Sequence, residues 1–219
     1  ICDYEPITAW AARQQNKKTI GISHQYAFQY HIPRAGTDPV SEAVMRNFAP
    51  VDIGIGLHWH HFDQPILPPV IETPIITQQV QRNKVVIYLP FEDQQHVMKL
   101  LSPFKEFEFF IYSPENVTSP YAHIHCKPLS LHGFQKDLSD CTGIICNAGF
   151  ELASESLQLG KKILVKPVHA QMEQTSNAAA LQLLGYGKMM HSVDAKIIEQ
   201  WLYESKAIQV TYPNTAKYL

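Results

Sequence analysis

No stretch of this sequence approaches the roughly 18 uninterrupted apolar residues that a membrane-spanning helix requires, and no signal-peptide pattern precedes the first helix. Cysteine is scarce: Cys2, Cys126, Cys141 and Cys146 make no C-x-x-C pair and fall mostly in strand-like runs, so reduced core thiols of a cytosolic protein are expected. Basic charge is not in excess either, with 18 Lys and Arg against 20 Asp and Glu and a net charge of -2. Nucleic acid is therefore not the expected main partner, because phosphate binding asks for clustered cations. There is no internal repeat and no low-complexity tract. What remains is 219 residues, 45% of them hydrophobic, enough to bury one or two sizeable cores.

From Asn83 onward, strand and helix patterns alternate: Val85 to Leu89, Gln94 to Leu101, Phe107 to Tyr112, His123 to Cys126, Gln135 to Asp140, then the apolar pair Ile144 and Ile145. Such alternation predicts βαβ units on a mostly parallel sheet. Val193 to Ser205 reads as an amphipathic helix with Ile197, Ile198, Trp201 and Leu202 on one side. Upstream, Ile1 to Asp3 reads as a strand end, Ile7 to Gln15 as a helix with Ile7, Trp10, Ala11 and Gln14 on one face, and Thr19 to Ser23 as a short strand. The proline-dense run from Gln64 to Pro74 suits an extended crossing. The expected division is residues 1–63 as a partial Rossmann-like domain, 64–82 as a linker, 83–205 as a complete Rossmann-like domain, and 206–219 as a tail packing back on the first.

The richest segment runs from Asn147 to Gly187. Gly149 follows a buried strand and is expected to free the turn so that the N–H groups of the next helix face outward, as an anion site suited to a diphosphate. Glu155, farther along that helix, has the chemistry to accept both hydroxyls of a ribose. Lys161 and Lys162 are expected to close the helix, Ile163 to Lys166 to form the next strand, and Glu173-Gln174 to stand just before a helix over Thr175 to Leu184. There the pair would meet sugar hydroxyls at the carboxyl edge of the sheet.

These residues carry a resemblance. Asn147-Ala148-Gly149, Ser154-Glu155, Gly160-Lys161-Lys162, Pro167 and Glu173-Gln174-Thr175-Ser176-Asn177-Ala178 resemble the donor half of GT-B glycosyltransferases that use nucleotide sugars, such as the plant UDP-glucosyltransferases and the lipid I N-acetylglucosaminyl transferase of peptidoglycan synthesis. Across most of its length the chain is similar to a bacterial and archaeal GT-B group, through Asp3-Tyr4-Glu5-Pro6, His24-Gln25, Pro68 to Ile71, Tyr88 to Glu92, Gly133-Phe134-Gln135 and Cys146 to Phe150. Two departures stand out: Asn147 replaces the more usual His, and Leu89-Pro90-Phe91-Glu92 replaces a glycine-rich phosphate loop.

The resemblance implies an α/β, GT-B fold, here a complete C-terminal Rossmann-like domain plus the second half of an N-terminal one. It implies a metal-independent transfer of a hexose from a nucleotide-diphosphate sugar, with a UDP-sugar favoured, to an acceptor hydroxyl on a glycan, lipid or small molecule. The donor is a substrate, and no further cofactor is expected. Asn147, Gly149, Phe150, Ser154, Glu155, Glu173, Gln174 and Asn177 would contact or support the donor, and Phe134 and Gln135 would flank the base. Asn177 is expected to support the loop more than to touch the donor. The general base is expected in about 80 to 110 preceding residues not included here, so that this chain binds donor and transfers little sugar. Two other readings stay open, a sugar-nucleotide epimerase or hydrolase of GT-B fold and a non-catalytic nucleotide-sugar binder. A cytoplasmic location is expected from the reduced cysteines, with attachment to the inner membrane surface through a lipid acceptor left open.

The histidines draw a plainer reading. In Leu57 to Phe62, strand alternation would bring His58 and His60 to one face, but only Asp63 is near to complete a metal site, so structural or acceptor-cleft histidines are favoured. His123 and His125 are read as the polar face of a strand. His24 is the one candidate for an acceptor-side catalytic role.

Overall fold

Helix α1 (Pro6–Gln14) begins where Pro6 supplies a preset φ and the Glu5 carboxylate accepts from the N–H groups of Ile7 and Thr8 at 2.7 and 2.9 Å. The same device opens α2 (Pro39–Asn47), where Asp38 accepts from Val40 and Ser41. After α1, β1 (Ile20–Ser23) pairs in parallel with β2 (Ile53–Gly56), which follows α2, and Cys2 bridges to Gly21 on the other side of β1. The computed structural model describes residues 1–71 and 79–217. The chain divides into two units, Ile1–Ile71 with Tyr212–Leu219, and Glu72–Thr211.

In the first unit the face expected of α1 is reversed. Ile7 is 78% and Trp10 42% exposed, and the buried residue is Ala9, packed with Cys2 and Ala49. Helical spacing of apolar residues marked a face, but the helix packs through Ala9 on its opposite side. Helix α2 was not anticipated; its sequence carries the Asp-Pro start signal but buries no residue.

The second unit contains a six-stranded parallel sheet formed by β3 (Lys84–Tyr88), β4 (Glu108–Ser113), β5 (Ile124–Pro128), β6 (Gly143–Cys146), β7 (Lys162–Val165) and β8 (Lys188–Met189), in the order β5-β4-β3-β6-β7-β8. The connecting helices are α3 (Gln94–Leu101), α4 (Leu131–Asp140), α5 (Phe150–Gln158), α6 (Met172–Leu183) and, after β8, α7 (Ala195–Glu204). Val85, Val86, Ile87, Ile144, Ile145, Leu164 and Val165 are all buried, without polar alternation, because helices cover both faces of a parallel sheet. Each such side chain contributes about 1.5–3 kcal/mol when removed from water.

Several boundaries differ from expectation. The first unit continues past residue 63 through a parallel bridge between Leu57 and Leu67, and residues 72–78 of the expected linker, with Pro74, lie outside the described residues. The tail splits: Val210 N–H donates to Leu157 in the second unit, whereas the Thr215 hydroxyl donates to Pro69 in the first. Lys161 and Lys162 do not close α5, which ends at Gln158 before Gly160 turns the chain at φ 64°. Each lysine serves the end of another helix. Lys161 donates to the carbonyls of Ser139 and Cys141 at the end of α4, both at 2.8 Å, and Lys162 donates to Leu202 in the last turn of α7. Burial lowers the pKa of both.

Candidate functional site

From β3 the chain moves outward through β4 to β5, then returns to place β6 on the other side of β3 and moves outward again through β7 and β8. The two crossovers leaving β3 and β6 therefore diverge, and the crevice where they part lies beyond the carboxyl ends of those strands. Residues 89–93 line one side of it and Asn147-Ala148-Gly149 the other.

Gly149 precedes α5 at φ -70° and ψ 140°, an ordinary extended conformation, so the expected backbone freedom of glycine is not what the site uses. A Cβ built there would meet nothing within 4 Å. The glycine instead keeps the approach to the helix N-terminus open. Among the described residues no side chain caps that terminus, and the N-terminus of a helix favours an anion by about 0.3–1 kcal/mol or more.

Helix α6 fixes this loop. Gln174 stands in its first turn, because α6 starts at Met172, three residues ahead of the expected Thr175, and not in a preceding loop. Its Oε1 accepts from the N–H of Ala148 at 3.2 Å and of Val168 at 2.9 Å, joining the loops that follow β6 and β7. That leaves the amide NH2 as the part able to donate to a ligand. Asn177 is buried and donates to the Ala148 carbonyl at 3.0 Å, supporting the same loop from the next turn. Glu173 is half-buried beside Gln174.

Asn147 is 8% exposed; its Nδ2 donates to the Lys166 carbonyl at 2.8 Å, and its buried Oδ1 has no hydrogen-bond partner among the described residues. A buried acceptor left in this way costs about 1–3 kcal/mol. Glu155 is half-buried in the middle of α5. Ser154, named among the donor residues by the resemblance, points inward: it is 2% exposed and its hydroxyl donates to the Phe150 carbonyl one turn back. Phe150, at the first position of α5, buries its ring as well, so its side chain does not face a ligand.

Phe134 and Gln135 lie within α4, which Ser130 caps, and do not precede the helix. The half-buried Phe134 ring meets Tyr88 and Tyr112 edge-on at 5.6 and 5.0 Å, beside the end of β3, and Gln135 is exposed.

His24 belongs to the first unit. It is 4% exposed, its Nδ1–H donates to the Leu57 carbonyl at 2.9 Å, and its ring centroid lies 5.2 Å from that of His58. Burial, then His24 and His60, hold His58 at a pKa of about 3. The expected pairing of His58 with His60 on a strand face does not occur, since β2 ends at Gly56; His58 is buried and His60 exposed. Among the described residues, no three His, Cys, Asp or Glu side chains gather to hold a metal ion, and no helix is long and apolar enough to cross a membrane.

Sequence reasoning overlooked two charged groups. Lys166, at the end of β7, pairs with Glu92 at 2.5 Å. Lys84, opening β3, pairs with Asp137 at 2.8 Å and Asp140 at 2.5 Å at the opposite edge of the sheet, with Tyr112 donating to Asp137. A lysine at the first position of an otherwise apolar run was the available signal for Lys84.

The profile of glycosyl transferase family 1 matches residues 1–205. The chain belongs to that family. No curated protein matches it by sequence. Solved structures similar to it include the glycotransferase of kitacinnamycin (12% identity, 89% of this chain and 63% of that one, TM-score 0.59). The spinosyn rhamnosyltransferase SpnG in complex with spinosyn aglycone gives 16% identity over 87% and 59% at TM-score 0.57. MurG of Acinetobacter baumannii gives 16% identity over 88% and 59% at TM-score 0.55. The chain thus spans about three fifths of the length of these relatives, and over that part its fold is GT-B.

Proposed function

We propose that the second unit binds a nucleotide-diphosphate sugar and that the chain is part of an enzyme moving its sugar to an acceptor hydroxyl. The observation that carries this reading is the uncapped α5 N-terminus, open in front of Gly149, at the point where the crossovers from β3 and β6 diverge. The N–H groups of the helix terminus take up the diphosphate and ease its departure as charge develops on it, without a metal ion. Glu155 accepts the ribose hydroxyls, Glu173 and the Gln174 amide NH2 hold the sugar, and Phe134 and Gln135 flank the base. The solved relatives include a rhamnosyltransferase in complex with its spinosyn aglycone, which favours a hexose-type donor and is compatible with a small-molecule acceptor. Because the relatives are longer by about two fifths, the chain by itself binds donor with little turnover, the acceptor and base groups being supplied elsewhere.

The test is calorimetry of the chain against uridine, guanosine and thymidine diphosphate sugars, with Glu155→Ala as the control. The expected result is binding of one of them, lost by about tenfold or more in the variant while its thermal unfolding is unchanged. Absence of binding across the whole panel overturns the proposal. Rapid transfer by the 219-residue chain overturns its last clause.

A further inference from the structure

Glu92 follows β3 and Lys166 follows β7, and β6 lies between those two strands. An ion pair joining them must therefore cross the carboxyl end of β6, where Asn147, Ala148 and Gly149 lead into α5. The side chains are only 18% and 13% exposed, and the Nζ–Oε1 distance is 2.5 Å. Desolvating two charges is expensive, and stability alone is a weak reason to keep such a pair. Lys166 carries three N–H donors and has Glu92 as its one side-chain hydrogen-bond partner among the described residues. Its own carbonyl holds Asn147, whose Oδ1 has no partner among the described residues. A cation and a helix terminus with no side-chain cap thus flank one crevice, beside the buried Asn147 amide, and its β3 side lacks a glycine-rich phosphate loop.

Resting on the nucleotide-sugar reading above, we propose that Glu92 holds the Lys166 ammonium in the empty site and yields it to the donor diphosphate when the donor binds. Lys166 meets the sugar-bearing phosphate, since the chain continues from it to Glu173 and Gln174 on α6, the side from which the sugar is held. Glu92 is then a competing anion that sets affinity and favours ligands with two phosphates, whose charge displaces it, over ligands with one.

Titration calorimetry of the full chain with UDP, GDP and dTDP, and with the matching monophosphates, tests this on Lys166→Met, Glu92→Gln and the double variant. The double variant removes both charges of the buried pair and keeps the test independent of any folding defect in Lys166→Met. Lys166→Met and the double variant should lose about tenfold to a hundredfold in diphosphate affinity and little in monophosphate affinity. Glu92→Gln should bind the diphosphate about threefold to tenfold more tightly, through loss of the competitor. Equal diphosphate binding by the unaltered chain and the double variant overturns the inference alone, as does a Glu92→Gln variant that weakens along with Lys166→Met, the mark of a purely structural pair. No diphosphate binding by the unaltered chain overturns the nucleotide-sugar reading and this inference together.

Discussion

Both parallel sheets deliver their strands to a carboxyl edge, but β1 and β2 of the first unit run into rings, whereas β3 and β6 of the second run into open space. His24 follows β1 directly and His58 follows β2 after Leu57, and both are buried with Phe28 and Trp59, their rings in contact and their Nδ1 atoms engaged by backbone. At the second unit's carboxyl edge, the elements in the same position are Gly149, the uncapped α5 and the Glu92–Lys166 pair. The amino edge of that sheet offers a third case. There Lys84, Asp137, Asp140 and Lys161 are also charged and largely buried, yet their partners are the protein's own carboxylates and helix carbonyls. Burial of polar groups does not mark a site; polar groups that the protein leaves unmatched beside an opening do.

The contrast breaks most severely at the amino edge. Lys84→Met leaves Asp137 and Asp140 without their cation, and a loss of about 3–5 kcal/mol in urea unfolding is expected for the second unit, with nothing comparable for Lys166→Met at the more accessible edge. A smaller loss tests the ring-filled edge of the first unit. The folded pKa of His58, about 3, lies below its ordinary 6.5, so its contribution is complete above pH 6.5 and falls as the pH drops toward 3. At about 1.4 kcal/mol per pH unit, roughly 3 kcal/mol should vanish between pH 6.5 and pH 4. In His58→Gln, thermal unfolding across that window should be flatter by that amount; an identical slope would contradict a buried neutral imidazole.

Two glycines of the β6–α5 crossover sharpen the contrast within a single strand and its loop. A Cβ on Gly143, at the amino end of β6, meets the Lys162 carbonyl and the Trp201 ring at 2.9 Å, so Gly143→Ala should cost about 1–3 kcal/mol. Gly149→Ala, at the other end, should change stability by less than about 0.5 kcal/mol, since nothing lies near it. Its effect should appear instead as weaker nucleoside diphosphate binding in calorimetry. Equal stability losses at the two positions would remove the distinction between a packed and an open edge.

Much of the second unit was legible because its signals are local. Apolar runs such as Val85 to Leu89 and the capped helix over Gln94 to Leu101 follow from periodicity and a single Asp93 cap. The family motif likewise brought Gly149, Gln174 and Asn177 together at one loop. Their division of labour was not legible: Ser154 faces the core, and Gln174 uses its carbonyl on backbone, because which side of a helix or which end of an amide meets a ligand depends on what packs against it. For the same reason the exposed Ile7 and Trp10 defeated a helical pattern that predicted burial.

The order of apolar runs, prolines and capping residues by itself determined that a parallel α/β sheet would form and that a helix would open after Gly149, since these depend on neighbours in the chain. Only tertiary structure decided that Lys161 and Lys162 would serve the ends of distant helices and that Glu92 and Lys166 would meet across β6. Those pairings link residues separated by 20 to 74 positions, and a charge finds its partner through strand order, which no local pattern of residues records.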